Sequence, residues 1–110
     1  MANTFKNAAF SNVSTGSYDT LYTTPTNTRT IVLGLALANK TTSAVTVKVQ
    51  FSDYSAGTTY QLLEDVSIPA NTTLEVLAGQ KYVLETSDAL KLQCSASNSV
   101  DAVMGLMEIA

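Results

Sequence analysis

The chain is expected to fold as an all-β protein: a two-sheet antiparallel sandwich of eight or nine short strands, with the jelly roll as one such arrangement. Three observations lead there. Apolar residues alternate with polar ones through several segments, as at Val45, Val47, Val49 and Phe51 against Thr46, Lys48, Gln50 and Ser52; side chains on a strand point to opposite faces in turn, so each set makes one row. Turn-forming clusters of Gly, Pro, Asn, Asp and Ser recur between these segments. No stretch holds a helical period over a useful length.

In chain order, residues 5–13 form an opening segment, either an edge strand or an arm covering 1–13, and residues 14–17 a turn. Residues 18–23 make a short strand, with Leu21 inward or Tyr18 and Tyr22 on the other face. Pro25 lacks a backbone donor and ends that ladder before Asn27. Residues 30–39 are apolar on both faces: Ile31, Leu33, Leu35 and Leu37 share one row, and Val32, Gly34, Ala36 and Ala38 the other. A strand of this kind belongs at the centre of a sheet, and Gly34 marks a close approach or a bulge. Residues 44–53 alternate cleanly, as befits a strand with one wet face.

Residues 58–68 continue as a strand with a break near Glu64 and Asp65. Residues 72–77 and 81–84 are short strands, and Asp88 closes the turn at 85–88 by accepting backbone hydrogen bonds. Residues 89–97 place Leu90, Leu92, Cys94 and Ala96 inward. Residues 100–109 are apolar on both faces, which calls for a central or covered position, since an exposed strand of that kind invites aggregation.

At 110 residues this reads as one domain, 1–110. Only 14% of residues are charged, and the net charge is −3. A surface rich in hydroxyls and amides is cheap to desolvate and suits packing against copies of itself or a larger assembly. The six basic residues are scattered singly, so no stripe exists to track phosphates and no nucleic-acid partner is expected. No apolar run reaches the ~18–20 residues of a membrane helix, and the first ten residues do not read as a secretory signal, so no membrane partner is expected. Cys94 has no second cysteine to pair with and sits on an apolar face, as a buried and inert thiol in a protein made in a reducing cytoplasm.

Chemistry-bearing groups are sparse. The chain has no histidine, which removes Ser-His-Asp and Cys-His triads and the common zinc sites. Its five glycines are isolated, so no phosphate-cradling loop is present. The only close carboxylate pairs are Glu64 with Asp65 and Glu85 with Asp88. Adjacent strand residues point to opposite faces, so Glu64 and Asp65 are not expected to act together. No catalytic residue, metal ligand or cofactor is therefore expected, and the protein is read as a non-enzyme. The tyrosines are dispersed and expected to pack in the core or on the sheets; Tyr54, beside Ser55 and Gly57, is the one expected to be exposed, where a ring can stack on a sugar.

The order of phrases MANTFKNA, LYTTPTNTRTIVLGLALAN, IPANTTLEVLAGQKYVLETSDALKLQ and SVDAVMGLMEI resembles the small virion structural proteins of tailed bacteriophages, particularly those of marine bacteria and cyanobacteria. The turn at Pro25-Thr26-Asn27 stands where that family usually has Pro-Ala-Gly. The resemblance implies a non-enzymatic particle component made in the host bacterial cytoplasm. Such a component is a capsid decoration (cement) protein, or a tail or fibre module that binds a host-surface carbohydrate or receptor. It also implies partners: copies of the chain and other virion proteins, such as major capsid or tail proteins. The expected contact residues are Phe5 and Phe10 in the opening segment and Met104 and Met107 in the last strand.

Overall fold

A computed structural model describes residues 2–110; Met1, the first residue of the segment 1–13, lies outside the described residues. The described residues contain nine strands and no helix: β1 (Asn3–Phe10), β2 (Asp19–Thr23), β3 (Arg29–Asn39), β4 (Val45–Asp53), β5 (Thr58–Ile68), β6 (Thr73–Glu75), β7 (Tyr82–Leu84), β8 (Ala89–Cys94) and β9 (Val100–Ile109). They form two antiparallel sheets. The first has the order β1-β9-β3-β6, with β7 also paired to β3; the second has the order β2-β8-β4-β5.

The pairing has a simple logic. β4 pairs with β5, β3 with β6 and β7, β2 with β8, and β1 with β9. The chain is thus one long hairpin with its tip at residues 54–57. Rolling that hairpin brings β9 against β3 and β8 against β4, which completes both sheets. β3 and β9, the strands apolar on both faces, occupy the centre of the first sheet.

Inward rows from the two sheets meet in a single core that includes Val32, Leu35, Leu37, Val45, Val47, Val49, Leu90, Leu92, Ala102, Met104 and Leu106. β4, β8 and β9 keep strict alternation, so their rows run unbroken. β3 does not. Its register against β9 shifts between Val32 and Gly34, leaving Leu33 as an extra residue. A bulge reverses the phase of alternation beyond it. Thr30 and Val32 therefore point inward before it, and Leu35, Leu37 and Asn39 after it. The expected row of Ile31, Leu33, Leu35 and Leu37 is split, and Leu33 lies 40% exposed on the outer face.

Two other strands carry the same device. An extra residue in β2 between Thr20 and Tyr22 lets Leu21 join the core and Tyr22 pack against it, rather than one or the other. β5 slips twice against β4, around residues 62–65, and Asp65 takes the left-handed conformation with φ 52. Four asparagines (Asn12, Asn27, Asn71 and Asn98) also hold positive φ at turns, a conformation their short polar side chains tolerate.

Buried polar groups fix the ends of the sandwich. Asn39 donates through Nδ2 to the carbonyls of Ser43 (2.8 Å) and Ile68 (3.0 Å) and accepts through Oδ1 from the backbone N–H (3.0 Å) and hydroxyl (2.7 Å) of Thr41. Asp88 accepts from the backbone N–H of Glu85 at 2.9 Å and from that of Tyr54 at 2.9 Å, so the turn at 85–88 also anchors the hairpin tip.

The inward and outward faces of β9 differ sharply in what they hold together. Met104→Ala is expected to cost about 2–5 kcal/mol in urea unfolding, whereas Val103→Ala, one residue away on the outer face, should cost within about 1 kcal/mol.

Candidate assembly surface

The outer face of the first sheet, turned away from the core, carries an apolar surface. Phe5 pairs with Met107, Met107 with Ile31, and Ile31 with Val83. Directly opposed residues share a face, so these four side chains form one row across four strands. Ala9, Val103 and Ala36 form a second row that ends at Glu75. Between them lie Leu33, the paired glycines Gly34 and Gly105, and Asn7, which pairs with Gly105 from β1. Phe5 is 73% exposed, Val83 53% and Val103 55%. Exposed apolar side chains grouped on one face in this way are a common feature of interaction sites.

The four expected contact residues divide evenly. Phe5 and Met107 are neighbours in the outer row. Phe10 and Met104 are corrected: Phe10 packs against the core and Met104 is fully buried within it. The reason is strand parity. Phe10 pairs with the inward Ala102, and Met104 shares that face two residues on. Because β9 is apolar on both faces, the sequence pattern did not reveal which face turns inward. The exposed Val83 and Val103 were missed, although each alternates with a buried neighbour.

Tyr54 is 72% exposed at the hairpin tip. Among the described residues the stacked aromatic pair is Phe51 with Tyr60, at 6.2 Å between ring centroids. A groove of ≈370 Å³ is lined by Phe51 and Leu62 from the second sheet and by Lys81, Tyr82 and Val83 at the β7 edge of the first.

Beneath the Arg29 end of the outer face, the space between the sheets is polar. Tyr22 reaches across from β2, donates its hydroxyl proton to Glu108 at 2.6 Å and lies 2.8 Å from the hydroxyl of Thr30. Lys6 pairs with the other oxygen of Glu108 at 2.9 Å. Burial, helped by the hydrogen bond to the Glu108 carboxylate, pushes the Tyr22 hydroxyl up to about 12. The same hydrogen bond, with that from Lys6, holds Glu108 below the usual carboxylate range. At the opposite end Asp101 binds Lys40 at 2.9 Å and accepts from the backbone N–H of Asn12 at 3.0 Å, and both lower its pKa.

The carboxylates of Glu64 and Asp65 do come together, contrary to the expectation from strict alternation. The left-handed turn at Asp65 breaks the alternation, and both carboxylates bind Lys48, Asp65 at 3.0 Å. Their hydrogen bonds raise the Lys48 pKa. The three groups sit on the edge strand β5 and its neighbour, where charge discourages pairing with another sheet. Among the described residues no group of three or more Cys, Asp or Glu side chains is placed to hold a metal ion, and no helix is long and apolar enough to cross a membrane.

No protein-family model matches the chain, and no curated protein matches it. Its fold has counterparts among solved structures. A chain of the disulfide-linked pili that form Bacillus endospore appendages is 12% identical, with a TM-score of 0.53 over 96% of this chain and 86% of that one. A chain of infectious bursal disease virus, Gx strain, is 15% identical, with a TM-score of 0.56 over 96% of this chain but only 32% of that longer one. A chain of the cyanophage Pam1 capsid is 15% identical, with a TM-score of 0.42 over 97% of this chain and 82% of that one. At these identities the likeness is one of fold. Cys94 is buried, its thiol within 3.1 Å of the carbonyls of Val13 and Ala96.

Two outcomes follow from the buried groups. In an ultraviolet titration one of the five tyrosines should ionise near 12, and Tyr22→Phe should remove that step. Stability should fall as pH rises from about 10 to about 12, because the unfolded chain releases the Tyr22 proton first. It should also fall as pH drops below about 4.5, where protonation of Glu108 favours the unfolded chain; Glu108→Gln should flatten that acid limb. Separately, Cys94 should resist thiol reagents in the native protein and react fully once the chain is unfolded.

Proposed function

We propose that this chain is a non-enzymatic structural subunit of a bacteriophage virion, seated on the particle by protein–protein contacts as a capsid decoration (cement) protein. The observation that carries the reading is the outer face of the first sheet. It presents large apolar side chains in register across four strands, with the charged Glu75 at its β6 edge. Contacts of this kind act through burial: a stable interface hides roughly 1,200–2,000 Å², and a lattice multiplies modest individual contacts through multivalency.

The strand order supports the same reading. A long hairpin rolled into sheets β1-β9-β3-β6 and β2-β8-β4-β5 has the connectivity of a double-sheet jelly roll, an architecture used by viral capsid and lectin domains. The fold likeness to a chain of infectious bursal disease virus agrees with it. The few carboxylates that converge are held by Lys48, which suits a structural rather than a catalytic use.

A second reading, a module of a tail or fibre, is favoured by one observation: the fold matches 86% of a chain whose assembly is a pilus. Those pili are disulfide-linked, whereas the single buried Cys94 leaves this chain to assemble by noncovalent burial.

Purified phage particles provide the test. The protein is expected to co-sediment with assembled particles in fixed stoichiometry and to stay with capsids when tails are removed. Recovery with detached tails would select the second reading, and recovery only from soluble host extract would overturn both.

A further inference from the structure

Gly34 and Gly105 are cross-strand partners at the centre of the outer face. Neither has a positive φ, and a Cβ added to either would meet nothing within 4 Å. The monomer thus requires glycine at neither position, for conformation or for packing. A glycine inside a strand weakens it, and its use there is to let another backbone come close.

The face around this pair is ordered by size and by charge. On one side runs the bulky row of Phe5, Met107, Ile31 and Val83. On the other, at equal distance along β9, lies the smaller row of Ala9, Val103 and Ala36, ending at Glu75. Arg29 lies beyond the bulky row, beside Ile109. Neither Arg29 nor Glu75 takes part in an ion pair among the described residues.

We propose that a second copy of this chain covers this face. The two protomers are related by a two-fold axis that lies between the sheets, runs perpendicular to the strands and passes over the Gly34–Gly105 pair. This rotation seats the bulky row of each protomer on the smaller row of the other. It sets Leu33 against its own counterpart at the axis and places Glu75 of the partner subunit over Val83, one strand and two residues from Arg29, within reach of that long side chain. A pattern complementary to itself about one axis is what an isologous interface requires, and an unrelated partner would impose no such symmetry. An axis along the strands would instead stack bulky row on bulky row. A face four strands wide and ten residues long measures about 19 by 33 Å, or about 630 Å² in projection. Side-chain relief raises its accessible area toward the ~800 Å² per partner of a stable complex.

This inference rests on the structural-subunit reading and names the partner for its contact face. Sedimentation equilibrium of the purified full chain should give twice the 11.6 kDa monomer mass. Gly105→Val should sediment as a monomer while keeping the wild-type unfolding midpoint or exceeding it, since open space receives the new side chain. Arg29→Glu should weaken self-association about tenfold or more, and adding Glu75→Arg should restore it, as expected for two like-charge contacts made and then removed per dimer. A wild-type monomer at high concentration, or a dimer indifferent to Gly105→Val, would overturn the proposal. If the chain is a monomer but Gly105→Val no longer co-sediments with particles, the face docks on a different particle protein: the second-copy assignment falls and the virion reading stands. A dimer sensitive to these variants, in a chain absent from particles, upholds the pairing and defeats the virion reading.

Discussion

The ladder between β3 and β9 is the interaction on which the rest depends. It joins the middle of the chain to its last strand, and without it the two halves of the long hairpin would lie side by side as an open ribbon with no enclosed core. Its inward residues, Val32, Leu35, Leu37, Ala102, Met104 and Leu106, form one wall of the interior. Its outward residues, Ile31, Leu33, Val103 and Met107, form the middle of the apolar surface. One set of backbone hydrogen bonds thereby positions both the core and the candidate contact face.

The bulge at Leu33 is what allows both roles. In strict alternation Leu33 would share a face with Leu35 and Leu37. The extra residue turns it outward and leaves the remaining leucines inside. The same kind of insertion lets Tyr22 span the sheets to Glu108 and lets Glu64 and Asp65 meet at Lys48. Each departure from period two sits where a side chain performs a particular task, while the uninterrupted strands β4, β8 and β9 supply rows of core.

This division explains how much was legible in advance. The two-sheet antiparallel class and the positions of the strands follow from alternation and turn residues, which are local properties. The inward rows of β4 and β8 were readable because their outer faces are polar. β3 and β9 are apolar on both faces, so hydrophobicity alone does not choose a side, and Met104 was placed at the surface when it belongs inside, with Phe10 half-buried on the same inner face. The bulges left little trace either: only Gly34 and the pair Glu64–Asp65 hinted at them. Strand order depends on contacts between residues far apart along the chain, where no local pattern reaches. The apolar face emerges only once β1, β7 and β9 are aligned with β3, since Phe5 and Val83 are separated by most of the sequence.

The rolled hairpin also constrains how the fold is reached. Every pairing beyond the β4–β5 tip closes a longer loop than the one before, and architectures dominated by such distant contacts fold slowly. During synthesis β3 emerges more than sixty residues ahead of β9, counting from Asn39 to Val100. Until β9 leaves the ribosome, the central strand of the first sheet has an empty flank and the interior stays open on that side. The nascent polypeptide consequently passes through a sticky interval in which premature association competes with maturation.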